Sequence, residues 1–368
     1  MAGTTIPRLP EFLDRDFLGV FPTSLTVIPT YRCTAACEQC CFESSPKRRG
    51  RLTLETIKAR ISEAHATFPA LRLVVFSGGE VLLLKRDLFA AVAHAHSFGL
   101  MTRIVTNGYW GRSASRARSV VGELRDAGLA EINFSTGLDH QRWVPMDSVV
   151  QAADAAAAAG LITLVTVEQD ARDSRCMSDL LADDRIKRLL REPNFRLQAN
   201  SWMPFHADAE PRETLVDRRD LQSGCSQVFN NLVVTPYDQF AGCCGLTFEH
   251  IPEMKLGQLG ESSMAAMYED QLSDFLKAWI HVDGPHRIMT RLFGTEAEEA
   301  LQEVNHICQA CVIMHQHPGV RAALKARFAE FVPEVMARLN ARVRLLARER
   351  AAAGVNPVNT TMMQEAAT

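Results

Sequence analysis

An alternation restricts this chain more than any other feature. From residue 24 to about 200, short apolar and β-branched runs take turns with segments of helical length. Strand-like runs fall at 24–30, 71–76, 101–106, 130–135, 161–167 and 195–200. Helical patterns at 53–68, 85–97, 113–127, 148–159 and 178–190 separate them. Strands spaced by helices of this length imply βαβ units around a parallel sheet. Six units in about 180 residues suit an α/β fold built as an open, partial (β/α)6 barrel better than a closed eight-unit one. Such a sheet collects its functional loops at the C-terminal ends of its strands.

Composition then removes several function classes. The 368 residues carry 40 basic and 43 acidic side chains, a net charge of −3. A chain that grips nucleic acid by its phosphates shows a basic excess, and none is present. The uncharged run 155–167 is 13 residues, too short to cross a bilayer. The opening MAGTTIPRLPEF lacks the apolar core of a secretion signal. The expectation is a cytoplasmic protein with neither a nucleic-acid nor a membrane partner. In a reducing compartment ten cysteines need a reason other than disulfides. Six of them lie in tight groups, Cys33/Cys37/Cys40/Cys41 and Cys308/Cys311, the spacing of metal binding or catalysis.

Cys33-Thr-Ala-Ala-Cys37-Glu-Gln-Cys40 follows directly on the first strand. Three thiolates on one short loop hold three corners of a [4Fe–4S] cube and leave the fourth iron open, the mark of a catalytic centre. The competing reading is zinc completed from elsewhere. Zinc sites pair cysteines as C-x2-C, which leaves Cys33 without a role.

Here the sequence resembles the radical S-adenosylmethionine (SAM) enzymes. Ser77-Gly78-Gly79-Glu80 ends the second strand as that family's GGE motif does. Thr106-Asn107-Gly108 ends the third strand, and Ser135-Thr136-Gly137-Leu138-Asp139 ends the fourth. The resemblance covers about residues 24–205 and implies a partial TIM-type barrel whose open iron chelates the methionine end of SAM. It implies that Gly78 and Gly79 let main-chain polar groups approach the SAM amino group, since no Cβ blocks them. Glu80 belongs to the same motif. Ser135 is implied to hydrogen-bond the ribose or carboxylate, Asn107 to line the pocket, and Glu168 to reach SAM from the end of the fifth strand. Reductive cleavage of SAM then yields a 5′-deoxyadenosyl radical that abstracts a substrate hydrogen atom. The chain departs from the family pattern twice: Gln39 stands where an aromatic residue commonly precedes the third cysteine, and Val81 where Pro often follows GGE.

Cys225-x17-Cys243, then 64 residues, then Cys308-x2-Cys311 supplies four more thiolates. Four ligands close a cube completely, which suits electron transfer. Two cysteines with His315 and His317 form a rival zinc set, although that spacing leaves Cys225 and Cys243 idle. The order of these cysteines resembles the auxiliary iron–sulfur domain called twitch, a shortened relative of SPASM, and implies one auxiliary [4Fe–4S] cluster. Cys244 is the neighbour able to replace Cys243, or to act as a catalytic thiol donating a hydrogen atom to a substrate radical. Cys176 is a second such donor. Otherwise Cys41 and Cys176 read as small buried hydrophobes.

The domain expectation is an extension at 1–23, the core at 24–220, a twitch-like region at 221–318, a helical region at 319–353 broken near Pro333, and a loose tail at 354–368. Residues 139–143 follow the fourth strand and are expected at the mouth, in contact with substrate. From Arg321 to Arg350 there are eight basic and three acidic residues, a helical face that suits an acidic leader peptide. The leading expectation is therefore maturation of a ribosomally made precursor peptide by cross-link, thioether or epimerisation. It carries with it a flavodoxin- or ferredoxin-type electron donor and a separate peptide-recognition protein. The alternatives are a dehydrogenase or epimerase of a small molecule such as an aminocyclitol or sugar, and a non-catalytic iron–sulfur or zinc scaffold.

Overall fold

The computed structural model describes residues 16–169, 174–201, 203, 221–243 and 249–352. Cys244, most of the segment 202–220 and the tail 354–368 lie outside the described residues.

Strands β1 (Ser24–Val27), β2 (Leu73–Phe76), β3 (Met101–Thr106), β4 (Glu131–Thr136), β5 (Ile162–Gln169) and β6 (Phe195–Ser201) pair in sequence order, all parallel. This is the partial (β/α)6 arrangement expected from the alternation. The crossover helices are α2 (Leu54–Thr67), α3 (Arg86–Ser97), α4 (Ala114–Asp126) and α6 (Met146–Ala158), with α1 (Asp16–Val20) ahead of β1 and the short α5 (Leu138–Gln141) after β4. The expected helix over 178–190 is instead two, α7 (Cys176–Ala182) and α8 (Asp184–Leu189). Asp183 divides them, because its extended backbone ends one helix while its side chain accepts from Arg185 N and caps the next.

Strand periodicity sets which side chains face where. Ile104, Ile132, Phe134, Val165 and Val167 are fully buried, on the face the helices cover. Their neighbours Val105, Asn133, Ser135 and Thr166 point the other way and line a cavity inside the curve of the sheet. Register places Asn133 beside Val105, and Ser135 beside Thr166.

Beyond β1 the sheet continues. β7 (Asn231–Val234) pairs parallel with β1, and β8 (Gln239–Ala241) and β9 (Lys255–Gln258) extend it antiparallel, giving nine strands in the order β6-β5-β4-β3-β2-β1-β7-β8-β9. The Pro236–Asp238 turn joins β7 to β8, with Asp238 in the left-handed region at φ 58°. Helices α9 (Met264–Leu272), α10 (Phe275–Phe293, kinked at Gly284, φ 77°, before Pro285), α11 (Thr295–Ala300) and α12 (Ile307–Gln316) follow, and α13 (Pro318–Ala352) closes the described chain.

The expected break at Pro333 does not occur: α13 is one helix of 35 residues with Pro333 inside it. Tertiary packing outweighs the lost backbone bond. Phe331, Val335, Met336 and Leu339 are buried on both sides of the proline, and Phe331 stacks on Trp279 of α10 with ring centroids 4.5 Å apart. Asp283 of α10, 1% exposed, accepts both Arg338 guanidinium nitrogens at 2.7 and 2.8 Å and Trp279 Nε1 at 2.8 Å. These contacts fasten α13 to α10 across the proline.

Candidate functional site

The chain leaving β1 runs through Ile28–Arg32 into the cysteine loop. The GGE turn after β2 packs directly on that segment: Gly79 N donates to Thr30 O at 2.9 Å and Glu80 N to Arg32 O at 2.9 Å. A Cβ on Gly79 would run into the Arg32 carbonyl. At Gly78, held at φ +126°, a Cβ would lie 2.6 Å from Ile28 Cγ2 and 2.7 Å from Thr30 O. The glycines are thus required by the close approach of the cysteine loop's own backbone.

Glu80 is fully buried below this turn. Its carboxylate accepts from Leu82 N (3.0 Å), Thr106 Oγ1 (3.0 Å) and Asn107 N (2.9 Å), so it clamps the end of β2 to the end of β3. Burial pushes its pKa up to about 7 against the pull of these donors. Asn107 passes the clamp on to the cysteines. Its Nδ2 donates to Thr34 Oγ1 at 3.0 Å and approaches Cys33 Sγ at 3.6 Å, while its Oδ1 accepts from Tyr109 N at 3.0 Å.

The three thiols share one electrostatic field. Burial, then the nearby Glu80 charge, raises the Cys33 pKa to about 12. Burial, then Cys40 and Cys33, raises that of Cys37. Cys40 moves the other way, to about 6, because Cys41 and the Ser44 and Phe42 amides stabilise its thiolate. Cys33 Sγ also accepts from Ala35 N and Cys40 Sγ from Ser44 N, each at 3.4 Å. A cationic centre among them would let all three ionise. Among the described residues no three His, Cys, Asp or Glu side chains are spaced to hold a single metal ion. Ligands on separate corners of an iron–sulfur cube need not meet at one point, so this spacing is compatible with a cube.

Cys33, Cys37 and Cys40 open onto a cavity of about 300 Å³. Gly78, Gly79, Asn107 and Ser135 line it as well, so seven of the expected site residues meet there. Glu80 and Glu168 are absent from its wall. Glu168, 1% exposed, stands behind His140, with Oε2 3.4 Å from His140 Nδ1, and His140 does line the cavity. Cys41 is a correction: it is half-exposed and lines the cavity, because the turn after Cys40 keeps it beside the loop. Cys176 is buried as expected and accepts from Gln141 Nε2 at 3.3 Å. Sequence reasoning missed His306, whose ring lines the same cavity while its Nδ1 accepts from Cys308 N (3.1 Å) and caps α12. No local signal marks it. Asn133 and Thr166 were also missed, although two-residue periodicity from Ser135 reaches Asn133.

Segments bearing the second cysteine set touch α10. Cys225 N donates to Ile280 O at 2.9 Å, the Cys243 thiol acts on the charge of Lys277, and α12, bearing Cys308 and Cys311, packs on the same helix. His317, from the rival zinc set, uses its Nδ1 to accept from Gly319 N at 3.2 Å, and its ring packs on Phe293.

Comparisons with known proteins agree with this geometry. The family described as "Radical SAM superfamily" matches residues 27–168. A protein of Bacillus subtilis (strain 168) named "Putative peptide biosynthesis protein YydG" is 26% identical over 118 residues, 32% of this chain. The match spans 37% of that protein's length. The structures described as "Native anSMEcpe with bound AdoMet" and "Native anSMEcpe with bound AdoMet and Cp18Cys peptide" share the fold. Their TM-scores are 0.51 and 0.50 at 13% and 12% identity, over 87% of this chain and 100% and 99% of theirs.

Proposed function

This chain belongs to the radical SAM superfamily through residues 27–168, and from that premise we propose that it oxidatively matures a ribosomally made peptide. The observation that carries the reading is the meeting of Cys33, Cys37, Cys40, the Gly78–Gly79 main chain and Ser135 in one cavity. When bound there, a [4Fe–4S] cluster with SAM supplies a 5′-deoxyadenosyl radical that takes a hydrogen atom from the substrate.

The chain's own residues bind and orient. Cys33, Cys37 and Cys40 would hold such a cluster through three thiolates and would leave one iron open to SAM. Asn107 and Glu80 fix the Cys33 loop from below. Ser135 offers its hydroxyl to SAM, and Gly78–Gly79 present main-chain polar groups with no Cβ in the way. His140, backed by Glu168, gives the substrate side of the cavity a polar contact. Phe42 and Met203 narrow the remaining wall with apolar surface and exclude water from a reactive radical. Cys225, Cys243, Cys308 and Cys311 would hold a second, closed cluster, which would supply an electron acceptor. A flavodoxin- or ferredoxin-type carrier then exchanges electrons with the protein.

A peptide substrate is supported by the name of the Bacillus relative and by the peptide held in a structure of the same fold. The basic face of α13 and a separate recognition protein complete the proposal. No helix among the described residues is long and apolar enough to cross a membrane.

The test is anaerobic reconstitution, reduction and incubation with SAM and a short peptide encoded beside the gene. The expected result is 5′-deoxyadenosine together with a peptide lighter by two hydrogens, both lost in Cys37→Ala. No SAM cleavage by the iron-loaded wild type overturns the chemistry. SAM cleavage without any peptide product overturns the substrate class.

A further inference from the structure

The environment of the second cysteine set holds more polar groups than its own contacts use. Lys277 of α10 is 5% exposed, and its ion-pair partner among the described residues is Asp274, one turn back, at 3.9 Å. That separation is too long for a hydrogen bond, and a buried ammonium is costly unless an anion lies close. Gln271, at the end of α9 and 2% exposed, presses its amide against Gly242, next to Cys243. Among the described residues, neither amide atom of Gln271 has a hydrogen-bond partner. His315, one turn beyond Cys311, is buried; its Nδ1 lies 3.9 Å from Glu253 Oε2, and its Nε2 is without a partner among the described residues. Burial and then the Lys277 charge pull the His315 pKa down to about 4, which keeps the ring neutral and able to donate from one nitrogen.

Three buried donor groups with unspent hydrogens thus stand around Cys243 and the helix carrying Cys311. Buried polar groups in native proteins are satisfied, so two unpaired side chains beside a buried ammonium indicate a missing partner. All three groups are able to donate and one is a cation, so a negatively charged acceptor suits Lys277, His315 and the Gln271 Nε2.

Resting on the auxiliary-cluster reading above, we propose that Lys277, Gln271 and His315 form a donor shell that favours the reduced state of a [4Fe–4S] cluster held by Cys225, Cys243, Cys308 and Cys311. Such a cluster gains one negative charge on reduction. A fixed ammonium and two sulfur-directed hydrogen bonds stabilise the more negative state and raise the potential. The shell therefore makes this cluster an electron acceptor. A substrate radical gives it one electron and loses one proton to water, leaving a product short of two hydrogens. The cluster passes that electron on to the ferredoxin- or flavodoxin-type carrier.

The experiment uses the full chain, reconstituted anaerobically, with Cys33, Cys37 and Cys40 replaced by alanine so that one cluster remains. Its midpoint potential is read by electron paramagnetic resonance during a redox titration. Lys277→Met is expected to lower the equilibrium constant for reduction at least tenfold, a shift of about 59 mV to more negative potential. Lys277→Arg should stay within threefold of the parent, and Gln271→Leu should fall between them. If Lys277→Met fails to load, Gln271→Leu decides by the same criterion of a negative shift. Full iron content with an unchanged midpoint in both Lys277→Met and Gln271→Leu overturns the proposal and leaves the function above intact. Absence of iron from the triple-cysteine background, or zinc in its place, overturns the auxiliary cluster and this inference with it. SAM cleavage by the wild type would still stand.

Discussion

Glu80 belongs to the motif that signals SAM chemistry, yet the structure places it under the site instead of in its wall, and the two roles predict different consequences. Replacing it with Gln keeps the shape and exchanges one oxygen for an NH2 group. The two oxygens face Leu82 N at 3.0 Å and Asn107 N at 2.9 Å, so either amide orientation sets a donor against a backbone donor. One buried N–H left unsatisfied costs about 1–3 kcal/mol, and Glu80→Ala, which strands both, about 2–6 kcal/mol. Against a typical total of about 5–15 kcal/mol, either loss is plain in urea unfolding of the apo-protein. The pH dependence gives a second handle. The Glu80 pKa lies near 7 in the folded protein, above its ordinary value of 4.5. Below pH 4.5 both states carry the proton; between 4.5 and 7 the unfolded chain releases it first, so wild-type stability falls with rising pH by up to about 3 kcal/mol. Gln cannot titrate, and the gap between wild type and Glu80→Gln should narrow across that window. A Gln variant as stable as wild type at pH 5 but tenfold weaker for SAM would refute the clamp and make Glu80 a ligand contact.

Three further outcomes follow from the geometry. Gly79→Ala drives a Cβ into the Arg32 carbonyl, so it should load fewer irons than wild type while retaining native far-UV circular dichroism, because the displacement falls on the cysteine loop. Asp283→Asn breaks the buried latch between α10 and α13 and should cost about 2–4 kcal/mol, below a fully buried pair because Arg338 and Arg291 stay partly in water. Burial alone would raise the Asp283 pKa, but Arg338, Trp279 and Arg291 bring it below its ordinary value, so wild-type stability holds above about pH 4, fails below it, and the variant lacks that acid limb. Gln271→Leu, which removes a buried amide without a partner, should raise the melting temperature of the apo-protein by a few degrees; a fall would show that the amide has one.

The core sheet was readable because its signals are local. Six apolar runs at strand length, each followed by a helical period, fix six parallel strands, and C-x3-C-x2-C after the first of them fixes where the chemistry sits. What escaped depends on contacts between distant segments. Pro333 reads as a break because a local rule sees a lost N–H and a clash, whereas Phe331 on Trp279 and Arg338 on Asp283 hold the helix through it. Glu80 reads as a ligand because it adjoins two glycines, while its partners Thr106 and Asn107 lie 26 and 27 residues away. His306 carries no pattern at all; only the packing of α12 brings it to a cavity built from β1 to β6.

The extension of the sheet joins the segments that carry the two cysteine sets. β1 lies between β2 and β7, so the strand that delivers Cys33, Cys37 and Cys40 is hydrogen-bonded to the strand that follows Cys225 and leads to Cys243. A boundary drawn near residue 220 would fall within one continuous sheet. His306 ties the same regions again: its ring faces the first cavity, and its Nδ1 caps the helix bearing Cys308 and Cys311. Relative motion between the two cysteine sets would have to tear parallel ladder bonds at β1·β7 or pull His306 off its helix. On the proposed reading, an electron passing from the first cavity to the second cysteine set would cross strands joined by the β1·β7 ladder, and the rate of that transfer should not depend on solvent viscosity.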